Sequence, residues 1–129
     1  MIVGVGIDMV EVVRIQRALE DPRTGRRFCD RVFTGKEVEY CDKRRRKFES
    51  YAGRFAAKEA VMKALGTGWG PEVGWLDIEV ISGASGEPQV HLHNKASALA
   101  RELGIQRLSL SITHTERYAM ATLIAEGKA

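Results

Sequence analysis

Glu59 and Lys63 stand four residues apart in the segment Arg54-Phe-Ala-Ala-Lys58-Glu59-Ala-Val-Met-Lys63-Ala-Leu-Gly66-Thr67-Gly68. A helix puts both on one face, with Phe55 one turn earlier on that face, so an acid is set beside apolar packing. As an exposed pair the two contribute only about 0.2–0.5 kcal/mol. Chemistry requires a second carboxylate, and the candidate is Asp8, at the end of Met1-Ile-Val-Gly-Val-Gly-Ile7. Ala56, Ala57, Ala60 and Ala64 keep the helix slim, which lets it press on that segment and carry Glu59 toward Asp8. Two converging carboxylates repel unless a cation lies between them. Magnesium accepts one or two protein carboxylates and completes its octahedron with water and substrate phosphate oxygens. Mg2+ and a phosphate-bearing substrate are therefore implied together.

Lys63, one turn beyond Glu59, can neutralise a phosphoryl oxygen or a departing one. Gly66-Thr67-Gly68 adds small residues, backbone N–H groups and a hydroxyl at the same helix end, in a spacing that matches neither a Walker loop nor a dinucleotide fingerprint. His114 closes Ser109-Leu-Ser-Ile-Thr-His114, where its ring can donate, accept or meet phosphate as a cation. A strand-end histidine without a task is the competing reading. His91 and His93 share one strand face but lack a third ligand, so a solvated strand is the better account. Cys29 and Cys41 are too few for a disulfide scaffold and read as reduced structural thiols. Trp69 and Trp75 flank a Gly-Pro turn as packing residues.

The elements that must position these groups follow from pattern. Met1–Ile7 reads as a strand whose carboxylate emerges at or near its end. Residues 12–19 and 28–33 have helical apolar spacing, separated by the turn signal Asp21-Pro-Arg-Thr-Gly25. Thr34-Gly-Lys-Glu37 has the form of a capping box that opens a polar, basic helix. A further helix begins after Ser50 and stops at Gly66. Residues 75–81 and 89–93 read as strands, Asn94 caps a short helix, and Leu108–Thr113 pairs with Tyr118–Ile124 as a hairpin. Early helices and late antiparallel strands predict an α+β fold, a mainly antiparallel sheet packed with a long central helix.

The chain has 129 residues, 44% apolar and 29% charged. That suits one compact domain over residues 1–129 and argues against disorder or a second domain. No apolar stretch reaches the roughly 18 residues of a membrane span, and the N-terminus lacks the basic flank of an export signal, so a cytoplasmic location is expected. Residues 1–65 hold 15 Lys+Arg against 10 Asp+Glu, whereas residues 66–129 hold 5 against 7. A basic field of this kind attracts phosphates or an acidic protein. The run Lys43-Arg-Arg-Arg-Lys47 reads equally well as a solvated helix face.

Three blocks together resemble the holo-acyl-carrier-protein synthases, small members of the 4'-phosphopantetheinyl transferase superfamily. They are Gly6-Ile-Asp8-Met-Val-Glu-Val-Val-Arg14-Ile15, the Arg54–Gly68 segment and Ser111-Ile-Thr-His114-Thr115. The resemblance spans nearly the whole chain and departs mainly at residues 20–31. It implies transfer of the phosphopantetheine arm of coenzyme A to a serine of an apo acyl carrier protein, for fatty acid biosynthesis, with release of adenosine 3',5'-bisphosphate. It implies that Asp8 and Glu59 bind magnesium, that Asp8, Glu59 and Lys63 are catalytic, and that Arg54, Lys63, Gly66, Thr67, Gly68 and His114 bind coenzyme A. It also implies a homotrimer with sites between subunits. An acidic carrier would dock on Arg14 and Arg17. The serine proton goes to Glu59, directly or through a water, or to a water held by another acid. Two rival readings stay open: a magnesium-dependent hydrolase of a nucleotide pyrophosphate, and an RNA-binding module on the arginine-rich surface. The scarcity of aromatics and of RNA-binding motifs disfavours the second.

Overall fold

Two glycines decide how the sheet meets its helix. In the computed structural model, which describes residues 1–67 and 73–128, the first strand β1 (Ile2–Glu11) crosses under a 19-residue helix α4 (Lys47–Leu65). A Cβ on Gly4 would stand 2.2 Å from the Ala64 carbonyl oxygen, and one on Gly6 only 1.7 Å from that of Ala60. Strand and helix backbones are therefore in direct contact, as only glycine permits. On the helix side Ala56, Ala57 and Ala60 are fully buried, and the facing strand contributes Ala119, Ala121 and Ala125.

That facing strand is β5 (Tyr118–Gly127), the centre of a three-stranded antiparallel sheet in the order β1-β5-β4, with β4 spanning Ile105–His114. Asp8 lies opposite Ala121, and Ala121 opposite Ile112. A two-stranded antiparallel sheet pairs β2 (Ile78–Ser82) with β3 (Pro88–Leu92). The helices α1 (Val12–Glu20), α2 (Gly25–Val32) and α3 (Gly35–Asp42) precede α4, and α5 (Asn94–Glu102) links β3 to β4. The α+β expectation holds, as do the hairpin, the capping box at Thr34 and the left-handed stop at Gly66 (φ 79°).

The capping box has a second use. Glu37 Oε1 accepts from the Thr34 amide at 2.8 Å, while Oε2 accepts from the Val80 amide at 2.8 Å. Lys58, fully buried on α4, lies 2.6 Å from Glu37 and donates to the carbonyls of Val32 (2.6 Å) and Trp75 (3.1 Å). One ion pair thus ties α2, α3, α4 and β2 together. Burial pulls the Lys58 ammonium below its ordinary range, and Glu37 opposes that pull.

Several local expectations need correction. The first strand runs three residues past Asp8, because Met9, Val10 and Glu11 continue the ladder to Met120, Ala119 and Tyr118. Helix α4 begins at Lys47 rather than after Ser50, its first turn fixed by Glu49 pairing with Arg46 and His114. The run 43–47 is the connector between α3 and α4 and the start of α4, not a helix face. Trp75–Asp77 is a single 3-10 turn rather than strand, and the Trp75 ring stacks on Phe55 at 5.0 Å. Strand β3 ends at Leu92, so His91 and His93 do not share a strand face. His93 occupies the N-cap of α5, and Asn94, at φ 49°, makes no cap. Trp69 lies outside the described residues.

The outer face of the sheet is apolar and uncovered along β1, and turns polar toward β4, where Ser109, Ser111 and Thr113 share it. Val3, Val5, Ile7 and Met9 alternate outward along β1 with exposures of 37–59%. No helix among the described residues is long and apolar enough to cross a membrane.

Candidate active site

Asp8 projects from the inner face of β1, the face that Gly4 and Gly6 press against α4, and its side chain is only 17% exposed. Glu59 approaches from α4, half-buried. The two carboxylates act on each other: the Glu59 carboxyl is held above its usual range. Burial is the larger influence and the neighbouring Asp8 carboxylate the second, with Lys63 and Arg14 opposing.

Lys63 does not pair with Glu59 as its helical spacing suggests. Its ammonium reaches across to β1, lying 3.2 Å from Asp8 Oδ1 and donating to the Ile7 carbonyl at 2.9 Å. The glycine-permitted approach of β1 to α4 is what brings these acceptors within its reach. Beyond it, Gly66 donates to the Lys63 carbonyl and Thr67 to that of Met62, turning the chain away from the helix end. Gly68 lies outside the described residues.

The acid pair is a fit receptor for a hard divalent ion. Two carboxylates supply oxygen ligands, and no group of three or more His, Cys, Asp or Glu side chains is poised to hold a metal among the described residues. Two acids leave most of an octahedron to water and substrate, the pattern of magnesium rather than of a structural zinc.

Arg54 and His114 lie in a second place. A cavity of about 470 Å³ opens over the α3–α4 connector, lined by Tyr40, Lys43, Arg44, Arg45, Arg46, Glu49, Arg54 and His114. His114 Nδ1 is 2.8 Å from Glu49 Oε1, so the ring donates to the carboxylate and keeps its other nitrogen for a ligand. Glu49 also holds Arg46, at 3.6 Å. The Arg54 guanidinium lies 4.0 Å from the centre of the Tyr40 ring. Five cations face one acid here, so the cavity selects anions. The sequence reading missed Arg44, Arg45 and Arg46 as site residues, and nothing local distinguishes their run from an exposed one. Only the closure of the connector over β4 does.

Arg14 and Arg17 are exposed on α1, and Arg23, Arg26 and Arg27 continue the basic surface onto α2. The remaining candidates are structural. His93 pairs with Glu79 at 3.1 Å. Cys29 and Cys41 are free thiols, and burial pushes Cys41 up to about 11, leaving it unreactive at neutral pH.

The family model of the 4'-phosphopantetheinyl transferase superfamily matches residues 4–123, a span that includes Asp8, Glu59, Lys63 and His114. The chain belongs to that superfamily. Among curated phosphopantetheinyl transferase relatives, the holo-[acyl-carrier-protein] synthase of Solibacter usitatus is 49% identical over 126 residues, covering 98% of this chain and 99% of its own. That of Koribacter versatilis is 47% identical with the same coverage. The crystal structure of the Neisseria meningitidis holo-[acyl-carrier-protein] synthase superposes with a TM-score of 0.88 at 35% identity, covering 98% of this chain and 99% of that one. The Helicobacter pylori synthase, solved in complex with coenzyme A, superposes at 0.83 with 33% identity, covering 95% and 99%.

Proposed function

We propose that this protein transfers the 4'-phosphopantetheine group of coenzyme A to a serine hydroxyl of an apo acyl carrier protein, releasing adenosine 3',5'-bisphosphate and serving fatty acid biosynthesis. The observation that carries this reading is the convergence of Asp8 and Glu59, with Lys63 beside them, at one end of α4 while an anion cavity forms near the other. The membership of the chain in the superfamily and the coenzyme held by the H. pylori synthase support it.

In the reaction the serine oxygen forms a bond to the phosphorus bearing the pantetheine arm, and the bond from that phosphorus to the pyrophosphate bridging oxygen breaks. Asp8 and Glu59 would hold Mg2+, which supplies charge neutralisation and orientation to the pyrophosphate. Lys63 offers its ammonium to the departing phosphate oxygen. Glu59 accepts the serine proton, directly or through a water. Arg54, His114 and the 44–46 arginines receive the coenzyme's remaining negative charge. Gly66 and Thr67 border the Lys63 end of the helix, and Gly68 is assigned with them from the sequence alone.

A homotrimer with sites between subunits is part of the proposal. The outward apolar row Val3, Val5, Ile7 and Met9 supports it, since such a face suits contact with another copy.

The test is the mass of an apo carrier after incubation with this protein, magnesium and coenzyme A. A gain equal to phosphopantetheine supports the reading, and bisphosphate released without any carrier replaces it with hydrolysis. Arg14→Glu should raise KM for the carrier far more than for coenzyme A, and equal effects would remove α1 as the docking surface.

A further inference from the structure

Arg54 is 7% exposed, yet no carboxylate pairs with it among the described residues. Its Nε is buried without a hydrogen-bond partner. Buried arginines are ordinarily matched by an acid, because an uncompensated buried cation is costly. What surrounds this guanidinium instead is a shelf. The Tyr40 ring lies 4.0 Å from its carbon, and Nη2 donates to Ser82 Oγ at 3.2 Å. Arg44 is drawn to the same ring at 5.1 Å. The phenol of Tyr40 is itself held below its usual range, by the Ser82 hydroxyl first and, against burial, by the charges of Arg54 and Arg44. Neither Tyr40 nor Ser82 carries chemistry suited to phosphoryl transfer. Their joint effect is to fix one cation, flat and unneutralised, in the wall of an anion cavity.

Coenzyme A carries two kinds of phosphate. The pyrophosphate belongs with Asp8, Glu59 and Lys63, as described above. The 3'-phosphate is a monoester dianion that needs cations and hydrogen-bond donors of its own, and a planar guanidinium held in place meets it with little loss of side-chain entropy. Resting on the function proposed above, we propose that Tyr40 and Ser82 are positioning residues that hold the Arg54 guanidinium for this 3'-phosphate. They thereby set a preference for coenzyme A over its 3'-dephospho form.

The experiment compares transfer to apo carrier from coenzyme A and from 3'-dephospho-coenzyme A, in wild type, Tyr40→Phe, Tyr40→Leu and Ser82→Ala. Removing the ring should raise KM for coenzyme A about tenfold, the scale of a desolvated cation–π contact, with kcat little changed. KM for the dephospho form should not move, and Tyr40→Phe, which keeps the ring, should restore discrimination. Calorimetric binding of adenosine 3',5'-bisphosphate against adenosine 5'-monophosphate should show the same loss in Tyr40→Leu. If Tyr40→Leu does not fold, Ser82→Ala poses the same question through Nη2. Equal rises in KM for both coenzymes, or a Tyr40→Phe defect as large as that of Tyr40→Leu, overturn the proposal. Should wild type transfer from neither coenzyme, the function proposed above has failed, and the calorimetric comparison still decides whether the shelf selects a 3'-phosphate.

Discussion

Replacing Gly6 with alanine places a Cβ 1.7 Å from the Ala60 carbonyl oxygen, 2.7 Å from the Ala60 carbonyl carbon and 3.0 Å from the Ala64 nitrogen. All three atoms are backbone, so no side chain can swing aside. Carbon contacts under 3.0 Å essentially never occur, so strand and helix must part by at least about 1.3 Å at this point. The strand cannot slide freely, because Gly6 is held opposite Leu123 in the ladder to β5. Overpacking of this severity falls at the upper end of the usual range, about 3 kcal/mol, and lowers Tm by about 10 °C for a chain of this size. Function should suffer more than stability. Asp8 lies two residues along the same face and withdraws with the strand, and a displacement of about 1 Å between reacting groups costs about a hundredfold in rate. Calorimetry for Tm and a carrier-transfer assay for kcat/KM read the two effects separately. A second-site Ala60→Gly should not rescue either one, since the obstructing atom is the carbonyl oxygen and not the methyl. The reasoning is refuted if Gly6→Ala melts within about 2 °C of wild type and keeps its turnover, or if Ala60→Gly restores it.

Glu59→Gln tests the acid pair through pH. A carboxyl whose folded pKa lies above its unfolded value makes the native state hold more protons, so stability falls as pH rises from the ordinary glutamate range through the raised folded value. In metal-free protein the variant should lose that part of the slope and melt no lower than wild type at pH 7. Added magnesium should raise Tm of wild type only, by an amount that grows with concentration. Lys58→Ala should cost about 3–5 kcal/mol in denaturant unfolding, because it strands Glu37 in the interior, while Lys58→Met with Glu37→Gln should recover most of the loss. Val5→Glu, on the outer sheet face, should leave near-ultraviolet dichroism intact while shifting sedimentation toward single chains and reducing transfer. An unchanged sedimentation coefficient would remove that face from the assembly.

Much of the site was readable because its signals are local. Glu59 and Lys63 share a helix, Gly66 ends it in the left-handed region, and Thr34 with Glu37 closes a capping box, each through contacts within four residues. The alternation at 108–113 likewise carried its strand, since a sheet with one buried face repeats every second residue. Where reading failed, a distant partner had the final say. Asp8 lies inside its strand because β5 continues the ladder beyond it, and Lys63 abandons its own helix for Asp8 because two glycines bring β1 within reach. The basic run became a cavity wall through Glu49 and the arrival of β4 with His114.

By itself, then, the sequence determined which groups exist, which of them share a helix face or strand face, and where helices start and stop. It also determined that two acids and a lysine were available for phosphate chemistry. Only the tertiary structure decided that the acids meet, that Lys63 serves Asp8 first, and that Arg54 sits uncompensated on Tyr40. The physical reason is range: capping, periodicity and turn preference act over about one helical turn, whereas carboxylate repulsion and cavity charge depend on distances between residues 51 (Asp8 and Glu59) to 65 (Glu49 and His114) positions apart in the chain.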